Sequence, residues 1–167
     1  MKWVTRQYVH VDRTACPWLI RRFIDPTAEF IFAPVDQIEQ IVKEEQAIPY
    51  DTKDAELGHH EEKCSFDAIV EKYSINDPAV LELAKIVRAA DTDKLSSVPE
   101  AAGLESIMTG IGMEAKNDYA AIRKASLVYD ALYTSCKLKL IRDSYKSEFE
   151  RLDRQERRDF LKKKLSE

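Results

Sequence analysis

The sequence predicts an α+β fold dominated by helices, in which a small sheet of two or three strands in the N-terminal half is packed by five to seven helices. Three observations predict it. Only four glycines occur in 167 residues, too few for a protein built on many tight-turned strands. Two short runs rich in β-branched and aromatic residues flank one helical pattern near the N-terminus. From about residue 67 onward, apolar residues recur at helical spacing. The length suits one compact core.

Residues 3–11 mix Val4, Thr5, Tyr8, Val9 and Val11 with polar positions and read as the first strand. Asp12 offers an N-cap to a helix that begins around Ala15 to Pro17, carries Trp18, Leu19, Ile20, Phe23 and Ile24 inward, and stops before Pro26. Residues 29–33, between Pro26 and Pro34, form a second strand, so the first third of the chain starts as a βαβ unit. Val35, Ile38, Ile41 and Val42 give an amphipathic helix over 35–45. Pro49, Asp51 and Asp54 leave 47–54 irregular, and 56–66 holds either a short third strand or a loop that carries ligands.

Helices follow at 67–73, with Ser65 or Asp67 as cap, and from Asp77-Pro78 to near Asp91. Another helical stretch begins after Pro99 and is interrupted at Gly110 and Gly112, and 118–140 is the longest core helix. Beyond Ile141 the chain is charged, with Phe149, Leu152, Phe160, Leu161 and Leu165 as anchors. The expected organisation is a domain over 1–140 and a helical tail over 141–167, part of the same domain or docked on it.

A net charge of −4 supplies no global positive field for nucleic acid or anionic lipid, so neither is expected as a partner. The first residues lack the apolar core of a signal peptide, and no apolar run approaches the roughly 20 residues of a membrane span. Cys16, Cys64 and Cys136 are odd in number and widely spaced, which suits a reducing compartment, and a cytoplasmic location is the expectation. Gly-rich phosphate loops and dinucleotide fingerprints are missing, so no nucleotide cofactor is expected.

His10 and Asp12 stand at i and i+2 where the first strand should end, at the sheet edge where α/β units place ligands. Arg13 and Cys16 open the following helix, whose free N–H groups favour an anion and lower a thiol pKa. The competing reading makes Asp12 a cap, His10 a core hydrogen-bonder and Cys16 a small buried hydrophobe. His59, in the pair His59-His60, lies five residues before Cys64, a spacing that lets one loop give an ion two ligands; a polar loop histidine and a buried cysteine explain it equally. Asp91 and Asp93 sit at a helix end whose dipole opposes them, and either Arg88 or a bound cation would compensate. Tyr129 and Tyr133 share a face of the long helix, with Asp130 as a neighbour, and core tyrosines reaching a polar partner explain them equally well.

The runs His10-Val11-Asp12-Arg13-Thr14-Ala15-Cys16-Pro17-Trp18, Cys64-Ser65-Phe66-Asp67, Arg88-Ala89-Ala90-Asp91, Pro99-Glu100-Ala101-Ala102-Gly103-Leu104 and Tyr129-Asp130-Ala131-Leu132-Tyr133 resemble the chromate-resistance protein family, which includes the C-terminal domain of the regulator ChrB. The likeness spans about residues 6–136. It implies a sensor domain or a stand-alone protein of chromate resistance, with Arg6, His10, Asp12, Arg13, Cys16, His59, Cys64 and Asp91 as the positions carried over. Two departures matter. The chain starts directly at the family domain, which removes the expectation of DNA binding, and Ser135 precedes Cys136 where the family leads one to expect an aromatic residue.

The leading expectation is a domain that takes an oxyanion such as chromate, or a transition-metal ion, between the first strand-to-helix turn and the 59–64 loop. Arg6, Arg13 and His59 would bind the oxyanion; His10, Asp12, His59, Cys64 and Asp91 would ligate a metal such as Zn, Fe or Mn; Cys16 and Cys64 would be the reductants in any redox chemistry. The rivals are a metal-dependent enzyme whose ion is held by Asp12, His59 and Asp91, and an interaction module whose charged C-terminal helix recruits a partner or a second copy.

Overall fold

A computed structural model describes every residue except Glu61 and Asp93. Its elements run β1 (Lys2–Arg6), α1 (Val11–Phe23), β2 (Glu29–Ala33), α2 (Ile38–Glu45), β3 (Ile48–Pro49), α3 (Ser65–Lys72), α4 (Pro78–Asp91), α5 (Ala101–Glu114), α6 (Asp118–Ser144), α7 (Lys146–Phe149) and α8 (Arg154–Ser166). The expected helix-dominated α+β class is what the chain adopts, with eight α-helices among the described residues; the charged tail divides into α7 and α8.

The sheet has the order β2-β1-β3 and is parallel throughout. Pairing of Val4 with Ile31 and with Pro49 makes β1 the central strand. Pro49 is accommodated because β3 is an edge, where a missing N–H costs least. Alternation along β1 sends Trp3 into the main core and Val4 to the opposite face, where Ile38 and Ala47 cover it. This third strand lies in 47–54, a stretch expected to be irregular. In 56–66 only two isolated bridges form among the described residues, Tyr50 with Leu57 and His60 with Lys63.

The main correction concerns the first turn. The strand expected over 3–11 stops at Arg6, and the helix starts at Val11 rather than near Ala15. Two side chains from distant helices cause this. The Asp118 carboxylate accepts from the N–H groups of Tyr8 and Val9 at 3.0 and 2.9 Å, removing both from any strand ladder. Asp91 Oδ1 accepts from Asp12 N at 3.2 Å, satisfying an orphan N–H in the first turn of α1. His10, not Asp12, is the N-cap residue. Pro17 consequently falls inside the helix, where it removes the bond to the carbonyl of Arg13.

Helix α1 is the centre of the molecule. Val11, Asp12 and every residue from Thr14 to Ile20 are buried, because α3, α4, α5 and α6 all pack on it. Helix α4 begins as expected, with Asp77 accepting from Ala79 N and Val80 N and Pro78 in the first turn. Helix α5 runs through Gly110 and Gly112 without a break. No described helix is long and apolar enough to cross a membrane.

Candidate metal centre

The N-terminus of α1, the C-terminus of α4 and the loop after β3 meet at one point, and three aspartates stand there around one histidine. His59 Nε2 is 3.3 Å from Asp12 Oδ2, 3.3 Å from Asp51 Oδ1 and 3.2 Å from Asp91 Oδ2. Potential ligand atoms of Asp12, His59 and Asp91 all lie within 4.8 Å of one another. Each carboxylate is aimed by the chain. Asp12 accepts from Ser65 N at 2.7 Å and Phe66 N at 3.0 Å, so it caps α3 from a neighbouring helix. Asp91 is held by the amide of Asp12. Asp51 accepts from Arg13 Nη1 at 2.7 Å and Arg6 Nη2 at 3.2 Å.

Asp12 and Asp51 are buried, whereas His59 is 43% exposed and forms the opening to solvent. Burial raises the Asp12 carboxyl above its ordinary range; the His59 hydrogen bond works against this, and the charges of Asp91 and Asp51 add to it. Burial also works to raise Asp51, but His59 and the Arg13 guanidinium overcome it and hold that carboxyl low. Hydrogen bonds to Asp12, Asp51 and Asp91, in that order, pull the imidazole of His59 up to about 12. A positive charge is thus strongly favoured at this nitrogen. A single N–H, however, serves one carboxylate well, and charge-assisted bonds of this kind normally close to about 2.7–2.9 Å. Three oxygens at 3.2–3.3 Å surround the nitrogen more loosely than that. Donors bound to one divalent ion at about 2.0–2.2 Å stand roughly 3.0–3.5 Å apart, for octahedral and tetrahedral arrangements respectively.

The family described as ChrB, C-terminal domain, matches residues 3–136. This chain belongs to that family. It is 33% identical over 134 residues to Protein ChrB of Cupriavidus metallidurans strain CH34, a match covering 80% of this chain and 40% of that protein. The chain therefore spans less than half the length of that relative. No solved structure matches it.

In this ChrB-type domain the residues singled out in the sequence have separate fates. Asp12, His59 and Asp91 come together, as do Arg6 and Arg13, but the two arginines bind Asp51. His10 turns away: its Nε2 lies 3.0 Å from Thr109 Oγ1 and 3.6 Å from Glu105, beyond the α5 side of the turn. Cys16 and Cys64 are fully buried, with Cys16 Sγ directed at Asp12 Oδ1 and Cys64 Sγ at Asp67 Oδ2, both 3.5 Å. Burial, then the charge of Asp12, drives each thiol well above its ordinary pKa. The thiol-lowering expected of a helix start is absent because Cys16 stands on the second turn, walled in by carboxylates. His60 pairs with the Glu56 carbonyl at 2.9 Å. Arg88 goes to Asp67 rather than to Asp91, whose compensation comes from α1 and His59; Asp93 lies outside the described residues. Tyr129 and Tyr133 are core tyrosines, bonded to the Val11 carbonyl and to Asp77.

Asp51 is the member of this cluster that the sequence does not single out. It follows β3 with φ 46, so it reads locally as a turn residue. Its only signal is its position just beyond the carboxyl end of a parallel strand, and that strand was itself hidden by Pro49.

Proposed function

We propose that this chromate-resistance-type domain binds a divalent transition-metal ion through Asp12, His59 and Asp91, with Asp51 beside them. The observation that carries this reading is the placement of one oxygen from each of three carboxylates at 3.2–3.3 Å from His59 Nε2. Two further features support it. Asp12 and Asp51 are buried carboxylates, and buried charge asks for a counter-charge. Ser65 Oγ, at the α3 start that Asp12 caps, is buried without a hydrogen-bond partner.

The donor set is oxygen-rich with one imidazole, which suits Mn, Fe or Zn better than a thiophilic ion. Backbone amides and arginines holding the carboxylates fill the orienting role that supports metal ligands. An oxyanion is less well served. The clustered carboxylates repel it, and the guanidinium groups expected to receive it are engaged by Asp51. Redox chemistry at Cys16 or Cys64 is disfavoured for the same reason, since thiolates are scarce beside buried carboxylates.

The test is elemental analysis of the purified protein together with calorimetric titration of Mn, Fe(II) and Zn into the stripped protein. One equivalent of ion is expected, with affinity falling at least about tenfold in His59→Ala and in Asp91→Asn. Absence of saturable binding for all three ions would overturn the reading, and so would unchanged affinity in folded His59→Ala.

A further inference from the structure

Tyr8 is the most unusual residue outside the carboxylate cluster. Its φ of 64 places a bulky aromatic residue in the left-handed region, a strained conformation that glycine adopts freely. The strain is held by both neighbours in space. Asp118 takes the Tyr8 and Val9 amides, and Arg13 Nη2 donates to the Tyr8 carbonyl at 3.0 Å. The result of this bracing is an aromatic ring that is 80% exposed. Packing gains nothing from such a ring, and glycine would fit the backbone without strain.

The ring stands at the edge of a cavity of about 570 Å³ between the β1–α1 turn and the α5–α6 junction. That volume lies within the common range for small-molecule sites, about 300–1,000 Å³. Val9, Met108, Met113, Ala115 and Ala121 give it apolar walls, and Met113 is 85% exposed. Gly112 leaves part of the wall open, where an added Cβ would meet only the Val9 carbonyl at 3.4 Å. The polar groups at the rim are mostly satisfied: Asp118 by two amides, His10 by Thr109, and Asn117 by Ala120 N. Lys116 is an exposed ammonium with no acidic partner among the described residues.

We propose that this groove is a binding site for a small planar aromatic molecule carrying one negative group, with its ring between Tyr8 and Met113 and its anion at Lys116. The Tyr8 face and the Met113 thioether both favour a flat ring, and Lys116 fixes which end carries the charge. The site is separate from the carboxylate cluster and does not depend on a metal.

The probes are 2-naphthoate and its neutral analogue 2-naphthalenemethanol, titrated into metal-free protein and followed by amide chemical shifts. Saturable binding of naphthoate is expected, with shifts centred on Gly112 and Asn117. Tyr8→Gly should weaken it about fivefold or more while leaving thermal stability unchanged or raised, because the substitution removes ring and strain together. Gly112→Leu should fill the groove and abolish binding. Lys116→Ala should weaken naphthoate and leave the alcohol unaffected. No saturable binding of either probe up to about 10 mM, a dissociation constant worth under about 3 kcal/mol, would overturn the proposal. So would wild-type affinity in Tyr8→Gly or Gly112→Leu, and equal affinity for the two probes would overturn the assignment of Lys116.

Discussion

At the scale of single residues, Asp12 does the most. Its carboxylate ends the unmet hydrogen bonding of α3, faces His59 and receives the Cys16 thiol, all from a buried position. Crowding with Asp51 and Asp91 works against it, so the sign of a substitution decides which effect wins. Asp12→Asn is expected to destabilise the fold by about 2–4 kcal/mol in urea unfolding, because two buried amides lose a charged acceptor. A stabilised variant would mean that carboxylate repulsion dominates instead. Tyr133 supplies a pH dependence. Its hydroxyl donates to Asp77 Oδ2 at 2.7 Å, and burial, then the Asp77 carboxylate, push its pKa up to about 12 from an ordinary 10. The folded state therefore favours the neutral phenol. Its stabilising contribution is whole below pH 10 and is lost as pH rises through about 12. Unfolding curves between these values should show this decline, and Tyr133→Phe should remove it.

At the scale of elements, caps come both from the adjacent chain and from across the molecule. Helix α4 has the local kind, in which Asp77 accepts from its own first turn and also from Tyr133. Asp77→Ala should lower stability by about 2–3 kcal/mol, the loss of a cap plus one orphaned hydroxyl, and should combine less than additively with Tyr133→Phe. Helices α1 and α3 have the remote kind, through Asp91 and Asp12. Remote caps explain why the start of α1 was misplaced in the sequence. A residue 79 positions away supplies the acceptor, and nothing in the local pattern of 10–17 announces it. They also explain the site, since the carboxylates that cap from a distance are those that converge on His59.

At the scale of the whole molecule, a bound ion would tie the β3 loop, α1 and α4 together and stabilise the native state by mass action. Excess metal at about one hundred times its dissociation constant should add about 2.7 kcal/mol, raising the melting temperature by roughly 5–10 °C, and at the same ion concentration Asp91→Asn should cut the shift by about half or more. The tail tests a different dependence. Helix α6 continues to Ser144, past the boundary expected near residue 140, and α8 packs against it through a small cluster of Tyr145, Phe149 and Phe160. A chain ending at Ser144 should keep its metal affinity within about twofold, since among the described residues the hydrogen bonds and ion pairs of Asp12, Asp51, His59 and Asp91 reach no residue of the tail. A large loss would link the tail to the site.

Much of this molecule is written in local pattern. The second strand, the amphipathic helices and the Asp77-Pro78 start follow from periodicity and cap chemistry that neighbouring residues supply, and so does the helix-dominated α+β class. The motif around residues 10–18 also contains Asp12, the first of the clustered carboxylates. Tertiary structure alone decided the rest. It ended β1 at Arg6, brought Asp51 to His59, turned His10 toward α5, and paired Arg6 and Arg13 with the Asp51 carboxylate. The physical reason is common to all four. Buried charges and orphan amides are satisfied by whichever partner the packing of α1 against four other helices brings within reach, and sequence spacing carries no record of that distance.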